Sequence, residues 1–454
     1  MERQVNNSAD DVANFPRITQ SETSLAYFKN RILYGYNDRN IANNRSGFSF
    51  SSDLGKSWTD GGAIPSNPGG TNGGDPVIAV DKNGIFYYGQ LGTEVIAGNV
   101  EGVISVATAI INPNNTITIN LPQVVGRGQN PTPVSGDQDK EWIAVGPDRG
   151  SPGDEALYVA WRDLTNNNGI RFSKYRTGLN LTQLIPSKTI VTGGPTNNNS
   201  GAFIVVDSVG DIYVFYERRE DSRVINTPNR SIRMTKSTDG GNTFPIDVPV
   251  SPPFAAAATD TTICGRPSIG VDNSRRIRMN EFPQASIGPD GTIYVVWNAG
   301  TIVGGTPFIN VYLAYSQDQG KSWNQVNITN NSPFHFFPSV AANCEGAHIQ
   351  YNRFNDPNGV GGVGDGTFGI FMRTFSLSNG VSKELMVSNQ FSPVPITHPN
   401  PEPVGADCYM GDYNQLILGP GNCLLHSWGD NRNLLNGRIN PNVFFKLTSP
   451  KKKN

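Results

Sequence analysis

Charged side chains recur beside short apolar runs of this sequence, although only 16% of its 454 residues are charged. Some stand just before a run and others just after it, so they fall at the ends of predicted strands. Two carboxylates brought together can hydrolyse a glycosidic bond, and several can bind Ca²⁺ through their oxygens. The residues before the runs are Glu22, Asp75, Asp137, Asp139, Glu141, Asp412 and Tyr413. Those after the runs are Asp38, Arg162, Asp163, Glu217, Arg218, Arg219, Arg353, Asp430 and Arg432.

The apolar runs belong to a repeat that covers nearly all of the chain. Each copy has two β-like runs joined by a turn that contains Asp and Gly, and it ends on an aromatic residue. Residues 76–90 are one such copy, with its turn at residues 81–84. This composition predicts a β-hairpin of two mostly buried strands for every copy. The closing aromatic residues are Tyr36, Tyr88, Trp161, Tyr216, Trp297, Tyr351 and Trp428.

The segment after each hairpin offers two more strands, for example at residues 47–51 and 311–315. Two hairpins make a four-stranded antiparallel blade, so the seven copies predict an all-β, seven-bladed propeller, with six blades as the alternative. No linker interrupts the pattern, and residues 1–454 are therefore predicted to form one domain. The last copy is short of outer strands, so we expect residues 1–20 to supply one and close the ring. Residues 448–454 read as a basic tail.

A second pattern, Ser-x-Asp-x-Gly-x-x-aromatic, occurs at residues 51–58, 237–244 and 316–323. Physically it is a hairpin turn, in which the Asp accepts backbone N–H groups and Gly supplies a positive φ. The pattern resembles the Asp-box, or bacterial neuraminidase repeat, of sialidase-like β-propellers. That resemblance implies a turn between the two outer strands of a blade, on the face opposite the active site. Catalytic and non-catalytic propellers both carry the box.

Propeller geometry would bring the charged residues together around the central channel, where convergent polar groups could form a ligand site. In sialidases, three arginines hold the substrate carboxylate, an Asp acts as the acid, and a Tyr nucleophile is activated by a Glu. The resemblance implies Asp75 as the acid, Tyr413 as the nucleophile, and Glu217 or Glu141 as its partner. The substrate-binding residues that it implies are Arg162, Arg218, Arg266, Arg353, Arg432, Asp163 and Asp412.

The sialidase signature Phe-Arg-Ile-Pro is absent, because residues 15–18 hold the same types in another order. Whether the protein is an enzyme is therefore left open. If it is one, we expect an exo-sialidase-like glycoside hydrolase, or an enzyme that cleaves another glycan with two carboxylates on the channel face. The alternative is a non-catalytic propeller that binds a glycan or a protein partner, or has a structural or assembly role. In that case the charged residues would pair between blades.

Residues 264–282 form a long predicted loop with four arginines, Arg266, Arg275, Arg276 and Arg278. It should lie over the channel face, because it precedes the start of a strand. This composition fits a lid or an anion-binding element. It fits a solvated insertion equally well.

Composition limits the partners and the compartment. A net charge of −2 gives no field that would attract nucleic acid, and no apolar run approaches the roughly 18 residues of a membrane span. No signal peptide is visible at residues 1–4, yet the abundance of Asn, Gly, Ser and Thr favours an extracellular or cell-surface protein. We expect a glycan or glycoprotein as the partner and no cofactor, with Ca²⁺ as the alternative.

The four cysteines are too few for a disulfide framework in a chain of this size. Cys408 and Cys423 could face one another across adjacent strands and pair. Four buried thiols are the alternative.

Overall fold

The computed structural model describes residues 1–40, 44–96, 98–128, 138–165, 167–194, 197–221, 223–303, 306–329, 332–396 and 408–449. Within these residues the chain forms seven antiparallel sheets of four or more strands, one two-stranded sheet and one α-helix. The fold is an all-β propeller with seven blades, as the repeat predicted. Asp137 and most of the predicted basic tail, residues 450–454, lie outside the described residues.

Contacts within the chain divide it into two compact units. Unit 1 comprises Met1–Glu22, Asp221–Ser231 and Ser251–Asn454. Unit 2 comprises Thr23–Glu220 and Ile232–Val250. The expectation of a single domain stays a prediction.

The chain begins with a short strand, β1 (Glu2–Gln4), and the helix α1 (Ser8–Asn14). Blade 1 consists of β2 (Gln20–Phe28), β3 (Arg31–Asp38), β4 (Ser46–Ser51) and β5 (Thr59–Ala63). Blade 2 consists of β6 (Asn72–Val80), β7 (Phe86–Ile96), β8 (Asn99–Ile111), β9 (Ile117–Ile119) and β10 (Gln123–Gly126). Blade 3 consists of β11 (Gln138–Pro147), β12 (Glu155–Asp163), β13 (Gly169–Arg176) and β14 (Thr182–Val191). Blade 4 consists of β15 (Asn198–Val206), β16 (Ile212–Arg219), β17 (Arg230–Ser237) and β18 (Ile246–Pro249).

A two-stranded sheet of β19 (Ser268–Gly270) and β20 (Arg276–Arg278) follows blade 4. Blade 5 consists of β21 (Gln284–Ile287), β22 (Ile293–Val303), β23 (Thr306–Ser316) and β24 (Asn324–Asn327). Blade 6 consists of β25 (His335–Asn343), β26 (Gly346–Phe354), β27 (Thr367–Ser376), and three short outer strands, β28 (Gly380–Val381), β29 (Leu385–Met386) and β30 (Ser392–Pro393). Blade 7 consists of β31 (Gln415–Leu418), β32 (Leu424–Leu435), β33 (Arg438–Thr448) and β1. A 3-10 turn, Pro420–Asn422, joins β31 to β32.

The outermost strand of blade 7 comes from the other end of the chain. β1 pairs antiparallel with β33, and Glu2 lies opposite Lys446. The Val5 N–H extends the ladder by donating to the Val443 carbonyl at 2.9 Å. The blade therefore combines N-terminal and C-terminal residues in one sheet.

The second strand of each blade explains why these segments fold as strands. β12, for example, runs Leu-Tyr-Val-Ala-Trp at residues 157–161, all buried, and β-branched and aromatic side chains favour a pleated, packed surface. The seven closing aromatic residues are at most 1% exposed. They are core residues of their blades, each with roughly 1.5–3 kcal/mol available from burial of the ring.

The three Ser-x-Asp-x-Gly turns join the third and fourth strands of blades 1, 4 and 5. In blade 1, Asp53 accepts the Ser57 N–H at 2.9 Å and the Ser57 hydroxyl at 2.6 Å, and Gly55 has φ +77°. Blades 4 and 5 repeat both bonds at the same lengths. The Leu54 N–H donates to the Asn30 carbonyl at 2.7 Å, so this turn lies at the same end of the blade as the β2–β3 turn. The turn chemistry is as predicted.

A disulfide joins Cys264 to Cys408, so the expected Cys408–Cys423 pair is wrong, and so is the alternative of four buried thiols. Cys408 precedes β31 and Cys423 follows it, which places the two residues toward opposite ends of that strand. The Cys408 carbonyl instead accepts the N–H of Arg278 in β20 at 3.0 Å. This contact holds the two loops that the disulfide connects. Cys423 is a buried free thiol and Cys344 an exposed one.

Candidate functional site

The first strand of several blades has a residue in the left-handed region at its third or fourth position. In β6, β11, β15 and β25 the pairing with the second strand shifts register there, which is the mark of a β-bulge. Bulges redirect side chains and are common beside functional sites, and a positive φ strains any residue other than glycine. The left-handed residues are Glu22 (+52°), Asp75 (+56°), Lys140 (+49°), Gly201 (+64°) and Phe337 (+48°).

Asp75 and Lys140, at two of these bulges, form an ion pair in unit 2. The Lys140 Nζ lies 3.8 Å from Asp75 Oδ2. Asn37 fixes the other side of the bulge, because its Oδ1 accepts the Asp75 N–H at 2.6 Å and its Nδ2 donates to Asp75 Oδ1 at 3.3 Å. The Asp75 carboxylate is thus oriented by a cation and an amide, and it keeps a partly exposed edge.

Glu141 follows Lys140 and is only 2% exposed. Neither of its carboxylate oxygens has a hydrogen-bond partner among the described residues. Burial raises the pKa of Glu141 well above its usual range, and the nearby Asp75 raises it further. Burial of a carboxyl group without a partner favours its neutral form over the ionised one, which is the form that a proton donor requires.

Arg162 lies beside the same bulge. It donates from Nη2 to Asn168 Oδ1 at 2.7 Å and to Asn198 Oδ1 at 2.9 Å, and Asp139 Oδ2 lies 3.8 Å from its Nη1. Burial lowers the pKa of Arg162 to about 10, although Asp139 opposes that shift, so the group stays cationic at neutral pH. Asp75, Asp139, Lys140, Glu141 and Arg162 are called the bulge cluster below.

Glu217 lies two residues before the end of β16, near Arg162, and is fully buried. Arg219 binds it with two parallel hydrogen bonds, Nε to Oε1 at 2.7 Å and Nη2 to Oε2 at 2.6 Å. Bidentate pairing of this kind fixes both position and charge. The Glu217 carboxylate, predicted as the partner of a nucleophile, is therefore committed to a neighbouring arginine. The predicted nucleophile, Tyr413, belongs to unit 1.

A second charged cluster lies in unit 1 around Arg278 of β20. Arg278 binds Asp412 through Nε to Oδ1 at 2.9 Å and Nη2 to Oδ2 at 2.8 Å. Glu22 Oε1 lies 3.6 Å from the same guanidinium and accepts the Tyr409 hydroxyl at 3.2 Å. The Arg278 guanidinium also stacks 4.4 Å above the Tyr409 ring. The loop arginine thus joins two of the predicted carboxylates.

Arg218 links strands within blade 4. Its Nη2 lies 3.4 Å from Asp247 of the outermost strand, and the same carboxylate accepts the hydroxyl of Tyr216, the closing aromatic residue, at 2.7 Å. The Arg218 Nε donates to Asn199 at 3.2 Å. These contacts hold the second strand to the fourth.

Arg353 has the equivalent place in blade 6. It pairs with Glu384 and stacks 4.0 Å above Phe371, and the Tyr351 hydroxyl donates to the same Glu384 at 2.6 Å. A closing tyrosine, a carboxylate and an arginine two residues after the tyrosine therefore recur as a unit in blades 4 and 6.

Arg432 lies between strands from the two ends of the chain. Its guanidinium binds both Asp430 of β32 and Glu2 of β1, and all three side chains are buried. It also stacks 4.5 Å from the Phe444 ring centre. These contacts give Arg432 a clear structural role in completing blade 7.

The other predicted residues have varied surroundings. Asp163 is buried and accepts the Thr165 N–H at 3.1 Å and the Thr165 hydroxyl at 2.6 Å, while Arg171 lies 3.7 Å away. Tyr413 is buried, and Arg266 is exposed on the loop after Cys264. Asp163 thus caps the turn between β12 and β13.

The sequence pattern identified Asp75, Asp139, Glu141 and Arg162 of the bulge cluster but missed Lys140. The missing signal is the bulge itself, which places Lys140 beside Asp75. The only indication in the sequence is that Lys140 stands between two acidic residues, Asp139 and Glu141.

Within the residues that the structure describes, no group of three or more His, Cys, Asp or Glu side chains is placed to hold a metal ion. The described residues also contain no helix with the length and apolarity that crossing a bilayer requires.

No family model and no curated protein matches this chain. Solved structures do match it. Phage phi92 endosialidase has 11% sequence identity and a TM-score of 0.50, over 100% of this chain and 70% of that one. An α-L-arabinofuranosidase from Fusarium graminearum has 11% identity and a TM-score of 0.48, over 98% and 97% of the two chains. An ulvan lyase of the polysaccharide lyase class PL25 has 9% identity and a TM-score of 0.48, over 97% and 92%. The chain has the fold of a sialidase-like β-propeller.

Proposed function

We propose that this protein is an extracellular propeller that binds glycans and hydrolyses them at the bulge cluster. The observation that carries the proposal is Glu141, a buried carboxyl group that has no hydrogen-bond partner among the described residues and lies beside the ion pair Asp75–Lys140. Glycoside hydrolysis uses one carboxyl group that is protonated and one that is ionised. Two carboxyl groups take these two roles when their different surroundings give them different pKa values.

In this mechanism Glu141 donates its proton to the glycosidic oxygen as the bond to the anomeric carbon breaks. Asp75 acts on the other side of the sugar, either by removing a proton from the attacking water or by attacking the anomeric carbon itself. In the second case water later releases the sugar, and Glu141 takes up the water proton. The second route restores Glu141 to its protonated form and Asp75 to its ionised form. After the first route Asp75 carries the water proton and Glu141 is ionised, so Asp75 releases a proton to solvent and Glu141 takes one up before the next turnover.

Glycans are proposed as the substrate class because the phage phi92 protein, whose fold this chain shares, is named an endosialidase. A fold supports many chemistries, so the specificity rests on the cluster. Arg162 and Lys140 favour a glycan that carries an acidic group. A sialidase-type clamp has less support, because Arg218, Arg353 and Arg432 bind carboxylates of their own blades. The Cys264–Cys408 disulfide supports an oxidising, extracellular compartment.

The test is incubation with sialylated, uronate-containing and neutral glycans, with the released sugars read by mass spectrometry. We expect release from an acidic glycan, and we expect Glu141→Gln and Asp75→Asn each to lower the rate at least about 100-fold, the contribution of a general acid or base. Asp154→Asn is the matched control, because Asp154 is exposed at the opposite end of the β11–β12 hairpin.

The pH dependence follows from the raised pKa of Glu141. Activity should fall as the pH rises through that pKa, since the proton to be donated is then lost. The unfolded chain releases this proton near the ordinary pKa of Glu, whereas the folded chain retains it to higher pH, so the carboxyl group lowers stability as the pH rises. Glu141→Gln cannot ionise, and its free energy of unfolding at neutral or higher pH should therefore exceed that of the wild type. A Glu141→Gln protein that is more stable and equally active would make Glu141 a structural residue only. Glycan binding without release in the wild type would leave a non-catalytic lectin-like propeller.

A further inference from the structure

A cavity of about 340 Å³ lies beside the long β22–β23 hairpin of unit 1. Three stacked rings form one wall. Phe254 and Trp297 have ring centres 6.1 Å apart at 27°, and Trp297 and Tyr312 have ring centres 5.9 Å apart at 19°. None of the residues that line the cavity is charged, and none belongs to the bulge cluster.

Trp297 differs from the other closing aromatic residues in its hydrogen bonding. Tyr36, Tyr216 and Tyr351 donate to carboxylates of their own blades. In the other three blades the ring donates to a backbone carbonyl or a side-chain oxygen; these rings are Tyr88, Trp161 and Trp428. Trp297 is 1% exposed, yet its indole N–H has no acceptor among the described residues.

A buried donor without a protein acceptor is rare in folded proteins, and ordered water or another bound molecule can supply the acceptor. Trp297 lines the cavity. In the other six blades the closing ring thus donates to an oxygen atom of the protein, whereas the indole N–H of Trp297 has no such acceptor among the described residues.

We propose that this cavity binds a neutral sugar residue of a glycan. The stacked rings offer an apolar face of the kind on which the C–H face of a sugar packs. Around them stand groups that both donate and accept hydrogen bonds, namely the side chains of Asn226, Thr301, Tyr312 and Gln325. A sugar hydroxyl also does both. The uncharged lining selects against acidic sugars, and a volume near 340 Å³ is at the small end of ligand pockets.

A proline-rich peptide is the competing occupant, since aromatic grooves with a Trp donor recognise such peptides. Its prolines offer carbonyl acceptors but no N–H donors. The amide oxygens of Asn226 and Gln325 would then gain no partner from it. The mixed donor and acceptor rim therefore favours a polyol.

The experiment is a titration of ¹⁵N-tryptophan-labelled protein followed by the indole N–H signals. The chain has six tryptophans, and the signal of Trp297 is identified by its loss in Trp297→Phe. The probes are the methyl glycosides of glucose, galactose, mannose and arabinose. We expect at least one to shift the Trp297 signal saturably, with a Kd of about 1 mM or below, while the Trp58 signal stays fixed. Methyl glucuronide, with its charge, should bind at least about tenfold more weakly than methyl glucoside.

Variants separate the cavity from a general surface effect. Tyr312→Ala removes one stacked ring. Gln325→Ala changes an exposed residue at the rim of the cavity, where a substitution has little effect on folding. Each variant should bind the glycosides more weakly. Tyr315→Ala is the control, because Tyr315 lies on the same strand but packs against Phe375, with ring centres 5.3 Å apart.

Three results would overturn the proposal. They are no saturable shift with any glycoside, an unchanged shift in both Tyr312→Ala and Gln325→Ala, or a shift with an oligoproline peptide only. The readout does not depend on cleavage, so an inactive Glu141 or Asp75 variant should still bind here. Failure of the cavity and failure of the bulge cluster can therefore be told apart.

Discussion

Two buried glutamates of unit 2, Glu141 and Glu217, differ in their hydrogen-bond partners. Glu217 is fully buried but receives two hydrogen bonds from Arg219, so its negative charge is compensated. Glu141 is almost as inaccessible, and within the part of the chain that the structure describes its carboxylate oxygens have no hydrogen-bond partner. Burial and the nearby Asp75 raise its pKa. The sequence marked both as acidic residues at strand ends. Only Glu141 has surroundings that favour the neutral carboxyl group that a proton donor needs.

A residue-scale prediction concerns the turn carboxylate Asp318, which accepts the Ser322 N–H at 2.9 Å and the Ser316 hydroxyl at 2.8 Å. Asp318→Ala should lower the Tm by a few degrees, because these turn bonds are lost, without changing glycan binding or cleavage. The Ser322 hydrogen bonds hold the pKa of Asp318 well below its usual range. Its contribution is thus present above the unfolded pKa of about 4 and is lost as the pH falls through the lower folded pKa.

Calorimetry of Asp318→Ala beside Gln317→Ala, an exposed neighbour in the same turn, checks this prediction. A normal Tm with loss of glycan binding would instead place the turn at a ligand site.

At this scale, whether a side-chain contact can be predicted depends on how far apart its two residues lie in the sequence. The Asp318 turn could be predicted, because every atom it needs lies within eight residues. The partner of Arg353 could not, because Glu384 is 31 residues away on a segment with irregular strands. Likewise, nothing in the sequence distinguishes Cys264 from Cys423 as the partner of Cys408, which is 144 residues from Cys264.

At the scale of elements, the hairpin repeat is predictable because strand pattern, turn residues and closing aromatic residue agree in each copy. The bulges are not. Lys140 adopts φ +49° without a glycine or asparagine to announce it, so the direction of Glu141 cannot be read from alternation. The candidate site lies where the regular pattern fails.

The completion of blade 7 leads to an element-scale prediction. Arg432→Met should lower the free energy of unfolding by about 3–5 kcal/mol, the effect of removing one partner from a buried ionic group. The reason is that Glu2 and Asp430 would remain buried without their cation. Urea unfolding at neutral pH measures the change.

Arg3→Met serves as the control for this variant, since Arg3 is an exposed residue of the same strand, β1. Equal unfolding midpoints for Arg432→Met and Arg3→Met would show that the ionic contact to β1 contributes nothing to stability.

At the scale of the whole molecule, histidines lead us to predict sensitivity to acid. Burial lowers the pKa of His348 to about 4, and it lowers that of His335 and His426 to about 3, with nearby cations contributing at the last two. The unfolded chain binds protons at these residues from about pH 6.5 downward, while the folded chain does not. Stability should therefore fall as the pH drops from about 6.5, by up to about 1.4 kcal/mol per pH unit for each histidine.

Urea midpoints between neutral pH and pH 4 test this expectation. His348→Gln should reduce the slope of stability against pH by the share of one proton, although the lost bonds to Thr374 and Asn343 lower stability at every pH. An unchanged slope in that variant, or a flat profile in the wild type, would mean that these rings protonate within the folded protein.

The pairing of β1 with β33 also affects how the protein is made. A ribosome releases the N-terminal end first, and β1 then waits for a partner strand, β33, that begins at Arg438. At about 5–20 residues per second, that wait lasts roughly 20–90 seconds. During it β1 has no native partner, and after it β33 has an open edge that other chains could pair with until β1 arrives. Translation speed, and chaperones that cover the edge of β33, would then influence the yield of native protein.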